Sequence, residues 1–111
     1  MKSLAMSAAF AALACATMVA AATPSQAASF NCYGRLTVTE AVICQNPGLS
    51  SMDSQMASQY YSTLNSLPRG ARSSLRGEQL GWLRARNGCG ANVGCLATMY
   101  RQRMGDLQNN Y

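Results

Sequence analysis

Four cysteines spread over a short stretch constrain this chain more than any other feature: Cys32, Cys44, Cys89 and Cys95. What they can do depends on the compartment, and the first residues bear on that. The chain opens MKSLAMSAAFAALACATMVAAATPSQAASF: one lysine, a long uncharged run of Ala, Leu, Met, Phe and Val, then small residues and a proline. This is the charged, apolar and small-residue order of a secretory signal peptide. Cleavage after Ala27 leaves a short polar stub before Phe30 and is preferred to cleavage after Ala22. A run this rich in alanine inserts weakly into a bilayer, so residues 1–27 read as a removed leader rather than a membrane anchor. Acylation of Cys15, as in a lipoprotein, is the secondary alternative, although Ala12-Leu13-Ala14 before it has alanine where a larger aliphatic residue is usual. The expected location is periplasmic or secreted.

Taking 27 residues from 111 leaves 84, one small domain whose limited core makes cross-links a sizeable part of its stability. Four of the five cysteines lie in it, an even set that reads as a disulfide framework with three possible connectivities. Zinc sites space their cysteine pairs by two to four residues. Here the gaps are eleven and five residues, and no Cys-x-x-Cys redox motif is present. The local pairing is expected, Cys32 with Cys44 and Cys89 with Cys95, each pinning a loop to a helix end. The chain has no histidine, which removes the commonest acid–base catalyst and metal ligand. With no cofactor loop and no nucleophile in a recognisable setting, neither an enzyme nor a cofactor or metal is expected.

The domain reads as all-α, with four helices. Thr37-Val38-Thr39-Glu40 is a capping box, opening a helix that ends near Asn46, before Pro47-Gly48. The second is expected from about Ser50 to Leu67, with Leu49, Met52, Met56, Tyr60, Thr63 and Leu67 on one stripe. Pro68-Arg69-Gly70 breaks the pattern. A third spans about Ala71 to Asn87 and stops at Gly88, its apolar face holding Ala71, Leu75, Trp82 and Leu83. The fourth starts near Asn92 and carries Leu96, Met99, Tyr100, Met104 and Leu107 on one side.

All eight bases of the 84-residue segment are arginines, against four acids, Glu40, Asp53, Glu78 and Asp106, for a balance of +4. Arg86, with Gln79 on the same face, falls on the apolar stripe of the third helix and Arg103 on that of the fourth, where a charge needs a partner. They are expected to pair with Glu40 and Asp53, near the inner edges of their own helices, or to lie against Trp82, Tyr60 and Tyr100. Arg76, Arg84 and Arg101 fall on outer faces. A modest basic balance suits acidic envelope surfaces as partners, and nucleic acid is not an expected ligand of an exported chain.

From Cys32 to Leu107 the chain resembles the lysozyme-inhibitor LprI-type N-terminal domain family of small exported bacterial domains. Cys32, Thr37, Glu40, Ile43 and Cys44 match its opening motif, and Leu49, Asp53 and Tyr60 the second. Leu75, Gln79, Trp82, Leu83, Arg86, Cys89, Cys95, Leu96, Tyr100, Arg103 and Leu107 match the last. Departures are Arg35 for a small residue, Met52 for leucine, and Gly81 inside a helix. The resemblance implies a protein-binding role, with lysozyme as the partner. Arginines could engage the two catalytic carboxyl groups of a lysozyme cleft, and Arg69 in its turn, Arg84 and Arg101 are the expected contacts. The alternative is an envelope accessory module that holds an anionic cell-wall or membrane component without inhibiting lysozyme.

Overall fold

In the computed structural model, which describes residues 28–111, helix α1 (Val38–Gln45) begins where the capping box puts it. The proposed leader, with Cys15, lies outside the described residues. Thr37 Oγ1 accepts from Glu40 N at 3.1 Å and Glu40 Oε1 accepts from Thr37 N at 2.9 Å. Two donors that a helix start leaves free are thereby satisfied reciprocally.

Helix α2 (Pro47–Ser66) starts earlier than the expected Ser50. Asn46 serves two helices: its N–H donates to the carbonyls of Val42 and Ile43, closing α1, and its Oδ1 accepts from Leu49 N at 3.1 Å, opening α2. Pro47 then occupies the first turn, where a missing N–H costs nothing and the fixed φ already suits a helix. Ser50 is fully buried instead of capping, and its hydroxyl donates to Ile43 O at 2.6 Å across the joint. The Pro-Gly pair marks a break of a single residue rather than a loop.

Helix α3 (Arg69–Asn87) likewise begins two residues before the expected Ala71, with Pro68 as its N-cap. Arg69 is therefore the first residue of a helix rather than part of a turn. Arg72 reaches back from this helix to the end of α2, where Nε donates to Leu67 O at 2.8 Å and Nη2 to Asn65 O at 3.4 Å. Carbonyls near the end of α2 gain a cationic donor in this way. Helix α4 (Val93–Asn109) starts at the expected place, capped by Asn92, whose Oδ1 accepts from Cys95 N at 3.0 Å. In the turn before it, Gly90 takes φ +58°, the left-handed conformation that glycine adopts without a Cβ penalty.

Both disulfides pair locally, Cys32–Cys44 and Cys89–Cys95. The first ties the N-terminal segment to α1, and the second closes the α3–α4 turn. Thr39 adds a polar tie: its buried hydroxyl sits 2.8 Å from Gly90 O and 3.2 Å from Asn87 O, joining α1 to that same turn. No packing explains Gly81, since a Cβ added there meets nothing within 4 Å.

The four helices, with no strand among the described residues, enclose one core of Ile43, Leu49, Met56, Leu64, Leu75, Leu96, Tyr100 and Leu107. Ala28 joins it from the N-terminal segment. Helix α2 packs most extensively on α4 and next on α1. Of the expected apolar face of α3, Leu75 is buried, Trp82 and Leu83 are half-buried, and Ala71 is exposed near the helix start. No helix among the described residues is long and apolar enough to cross a membrane.

Candidate functional site

Asp53 is fully buried, on the inner side of α2. Its Oδ2 accepts from Ser29 N at 2.6 Å and its Oδ1 accepts from the Tyr100 hydroxyl at 2.6 Å. Arg86 Nη1 lies 3.6 Å from the same Oδ1 and donates to the Tyr100 oxygen at 3.3 Å. Asn87 Oδ1 accepts from Arg86 Nη2 at 3.0 Å and from Nε at 3.3 Å. The guanidinium also stands 5.8 Å from the Phe30 ring and 6.0 Å from Trp82, and Trp82 meets Tyr100 edge-on at 5.2 Å. A buried carboxylate, phenol and guanidinium from three helices thus satisfy one another, as charges removed from water must. Glu40 takes no part, because its carboxylate is engaged in the cap of α1.

Burial, and after it the hydrogen bond to Asp53, push the Tyr100 hydroxyl far above the ordinary phenol range, with Arg86 opposing. Above about pH 10 the unfolded chain sheds this proton while the folded chain keeps it. The contribution is complete below that pH and declines by about 1.4 kcal/mol per pH unit as pH rises toward the folded value. The stability gap between the wild-type chain and Tyr100→Phe, measured by urea unfolding between about pH 8 and pH 11, is expected to narrow with rising pH. A constant gap would contradict the assignment.

Arg103 meets neither of the acids expected for it, Glu40 and Asp53, although Tyr60, one of the expected aromatic partners, lies close enough to interact with it. Its Nε donates to Gln79 Oε1 at 2.9 Å, and no acid of the described residues lies within ion-pair distance. Its Nη2 is buried without a hydrogen-bond partner among the described residues. Burial lowers its pKa, with Glu78 and Asp106 compensating from longer range. The reason is geometric: Asp53 faces Ser29, Tyr100 and Arg86, and the residue that meets Arg103 from α3 is Gln79. Because a guanidinium only donates, the amide oxygen of Gln79 must face it. The amide nitrogen then points away, toward Met56 Sδ at 3.2 Å, a weak acceptor.

Beyond Gln79 an open groove of about 340 Å³ lies between α2 and α3. Tyr60 and Tyr61 form its α2 side, their rings edge-on at 5.1 Å, and Arg76, Leu80 and Leu83 form its α3 side. Met56 and Gln79 supply the buried part of its lining. Tyr61 and Leu80 are 59 % and 55 % exposed, so the apolar walls are accessible from solvent.

The expected contact residues Arg69 and Arg84 are exposed on α3, and Arg101 on α4. With Arg76 and Leu80, the two α3 residues fall within about 80° of one helical wheel. None of the exposed arginines pairs with an acid among the described residues. Sequence reasoning placed Arg86, Asp53, Trp82 and Tyr100 near one another. It missed Ser29, whose contribution is a backbone N–H that no side chain signals. It also missed Phe30, the groove and the contact of Gln79 with Arg103, although Gln79 falls on the inward face of α3. Comparison with family models, with curated proteins and with solved structures finds no match to this chain.

Proposed function

We propose that the chain is an exported, non-catalytic binding domain of the lysozyme-inhibitor type that its sequence resembles, with the outward arginines making the contact. The support is where the charges sit. Arg86 and Arg103 are enclosed by the core, whereas Arg69, Arg84 and Arg101 are exposed and unpaired among the described residues. A guanidinium fork is suited to bidentate contact with a carboxylate, and a lysozyme cleft presents two catalytic carboxyl groups. The two disulfides fit an oxidising compartment.

Titrated into a lysozyme assay, the protein is expected to slow cell-wall clearing in proportion to its concentration. The double variant Arg84→Ala, Arg101→Ala is expected to weaken that effect by about tenfold or more. Undiminished clearing at large excess would remove the reading.

The net positive charge favours a second reading, retention on an anionic envelope component. Salt separates the two. Animal-type lysozymes are basic, so like-charge repulsion opposes encounter and added salt speeds association. Binding to anionic peptidoglycan or lipid weakens as salt rises.

A further inference from the structure

We propose that the α2–α3 groove binds a small carboxylate carried on an apolar body, with one carboxylate oxygen replacing the Met56 sulfur on Gln79 Nε2 and the other meeting Arg76. The site does not involve Arg84 or Arg101 and stands whether or not lysozyme is a partner.

The inner end of the groove holds a donor whose present acceptor is poor. Gln79 is 7 % exposed, and its amide nitrogen meets only a thioether at 3.2 Å, a far weaker acceptor than oxygen. On its other side the amide oxygen takes the Nε–H of a buried guanidinium at 2.9 Å. A hydrogen bond from a cation polarises the amide and strengthens the donor at its far end, the more so in a site of low dielectric. A strengthened N–H facing a weak acceptor at the inner end of an open groove is matched by an anionic oxygen.

The surroundings define the rest of the ligand. No acid lines the groove, and Arg76 borders it, exposed and without an acidic partner among the described residues. One amide donor and one guanidinium match the two oxygens of a carboxylate. Tyr60, Tyr61 and Leu80 supply apolar walls for the attached body. A volume of about 340 Å³ is at the small end of ligand sites, the size for a short chain or single ring.

The test is a titration of the protein with octanoate, followed in proton–nitrogen correlation spectra, beside octanol and acetate. Octanol has the body without the charge, and acetate the charge without the body. Octanoate is expected to shift the Gln79 side-chain amide and the Leu80 signals saturably, with each control about tenfold weaker or worse. Gln79→Glu keeps an acceptor for Arg103 but removes the donor and adds like charge. It is expected to lower octanoate affinity by about tenfold or more without lowering Tm. Arg76→Gln, at an exposed position, is expected to weaken binding several-fold with Tm unchanged. Met56→Leu removes the competing acceptor and is expected to hold or raise affinity. Equal binding of octanol and octanoate, wild-type affinity in both Gln79→Glu and Arg76→Gln, or no saturable shift would each overturn the proposal.

Discussion

Asp53→Ala is expected to destabilise the domain by about 3–5 kcal/mol, the usual consequence of removing one partner from a buried charge pair. The size follows from what is stranded. Arg86 is 4 % exposed and would keep its charge with only Asn87 and the Tyr100 oxygen as acceptors. The Tyr100 hydroxyl and Ser29 N would lose the acceptor that holds each at 2.6 Å. For a domain of this length, Tm would fall by at least about 12 °C. Adding Arg86→Met to Asp53→Ala removes the stranded cation and should recover part of the loss, because a buried pair replaced by apolar groups is often nearly neutral. A thermal melt of Asp53→Ala within a few degrees of wild type would show that the pair is not structural.

Reduction of both disulfides is expected to abolish the cooperative fold near body temperature. The cysteines are 12 and 6 residues apart in sequence, and closing loops of that length removes about 2–3 kcal/mol each from the unfolded chain's entropy advantage. Together they approach the whole stability that a core of this size supplies. The two are not equivalent. Opening Cys32–Cys44 also frees the segment that brings Ala28, Ser29 and Phe30 against the core, so Cys32→Ser with Cys44→Ser should cost more than Cys89→Ser with Cys95→Ser. Far-ultraviolet circular dichroism before and after treatment with a phosphine reductant gives the readout. A helical signal and melting transition unchanged by reduction would refute the expectation.

How much of this was legible in the sequence depends on the range of each interaction. The capping box at Thr37 and Glu40, the Asn92 cap and the two local disulfides involve residues within 12 positions of each other, so they could be expected from short-range spacing, although four cysteines allow three pairings. The inward arginines were legible as a problem, since a helical wheel shows which face a residue occupies. Which residue lies opposite, on another helix, is not on the wheel. Arg86 met an expected acid, and Arg103 met the neutral Gln79 instead. The early start of α2 is not legible because Pro47-Gly48 taken alone signals a loop, whereas the Asn46 side chain makes that proline part of the first turn of a helix. The groove had no sequence signal at all. It arises from the way α2 and α3 leave space between them, and residues such as Tyr61 and Leu80 are ordinary surface positions until that space exists.

The joint at Asn46 has a further consequence for which changes of length the chain can tolerate. One residue closes α1 and opens α2, and Ser50 bonds back to Ile43 one turn later. A residue inserted between Asn46 and Pro47 would part the group that closes α1 from the one that opens α2, so the shared cap and the Ser50–Ile43 bond could not both be kept. The placement of Asp53 against Arg86 and of Met56 against Gln79 depends on that joint. The junction is thus a phase setting: its length fixes both the buried ion pair and the groove, and related chains that keep these features should carry no insertion or deletion there.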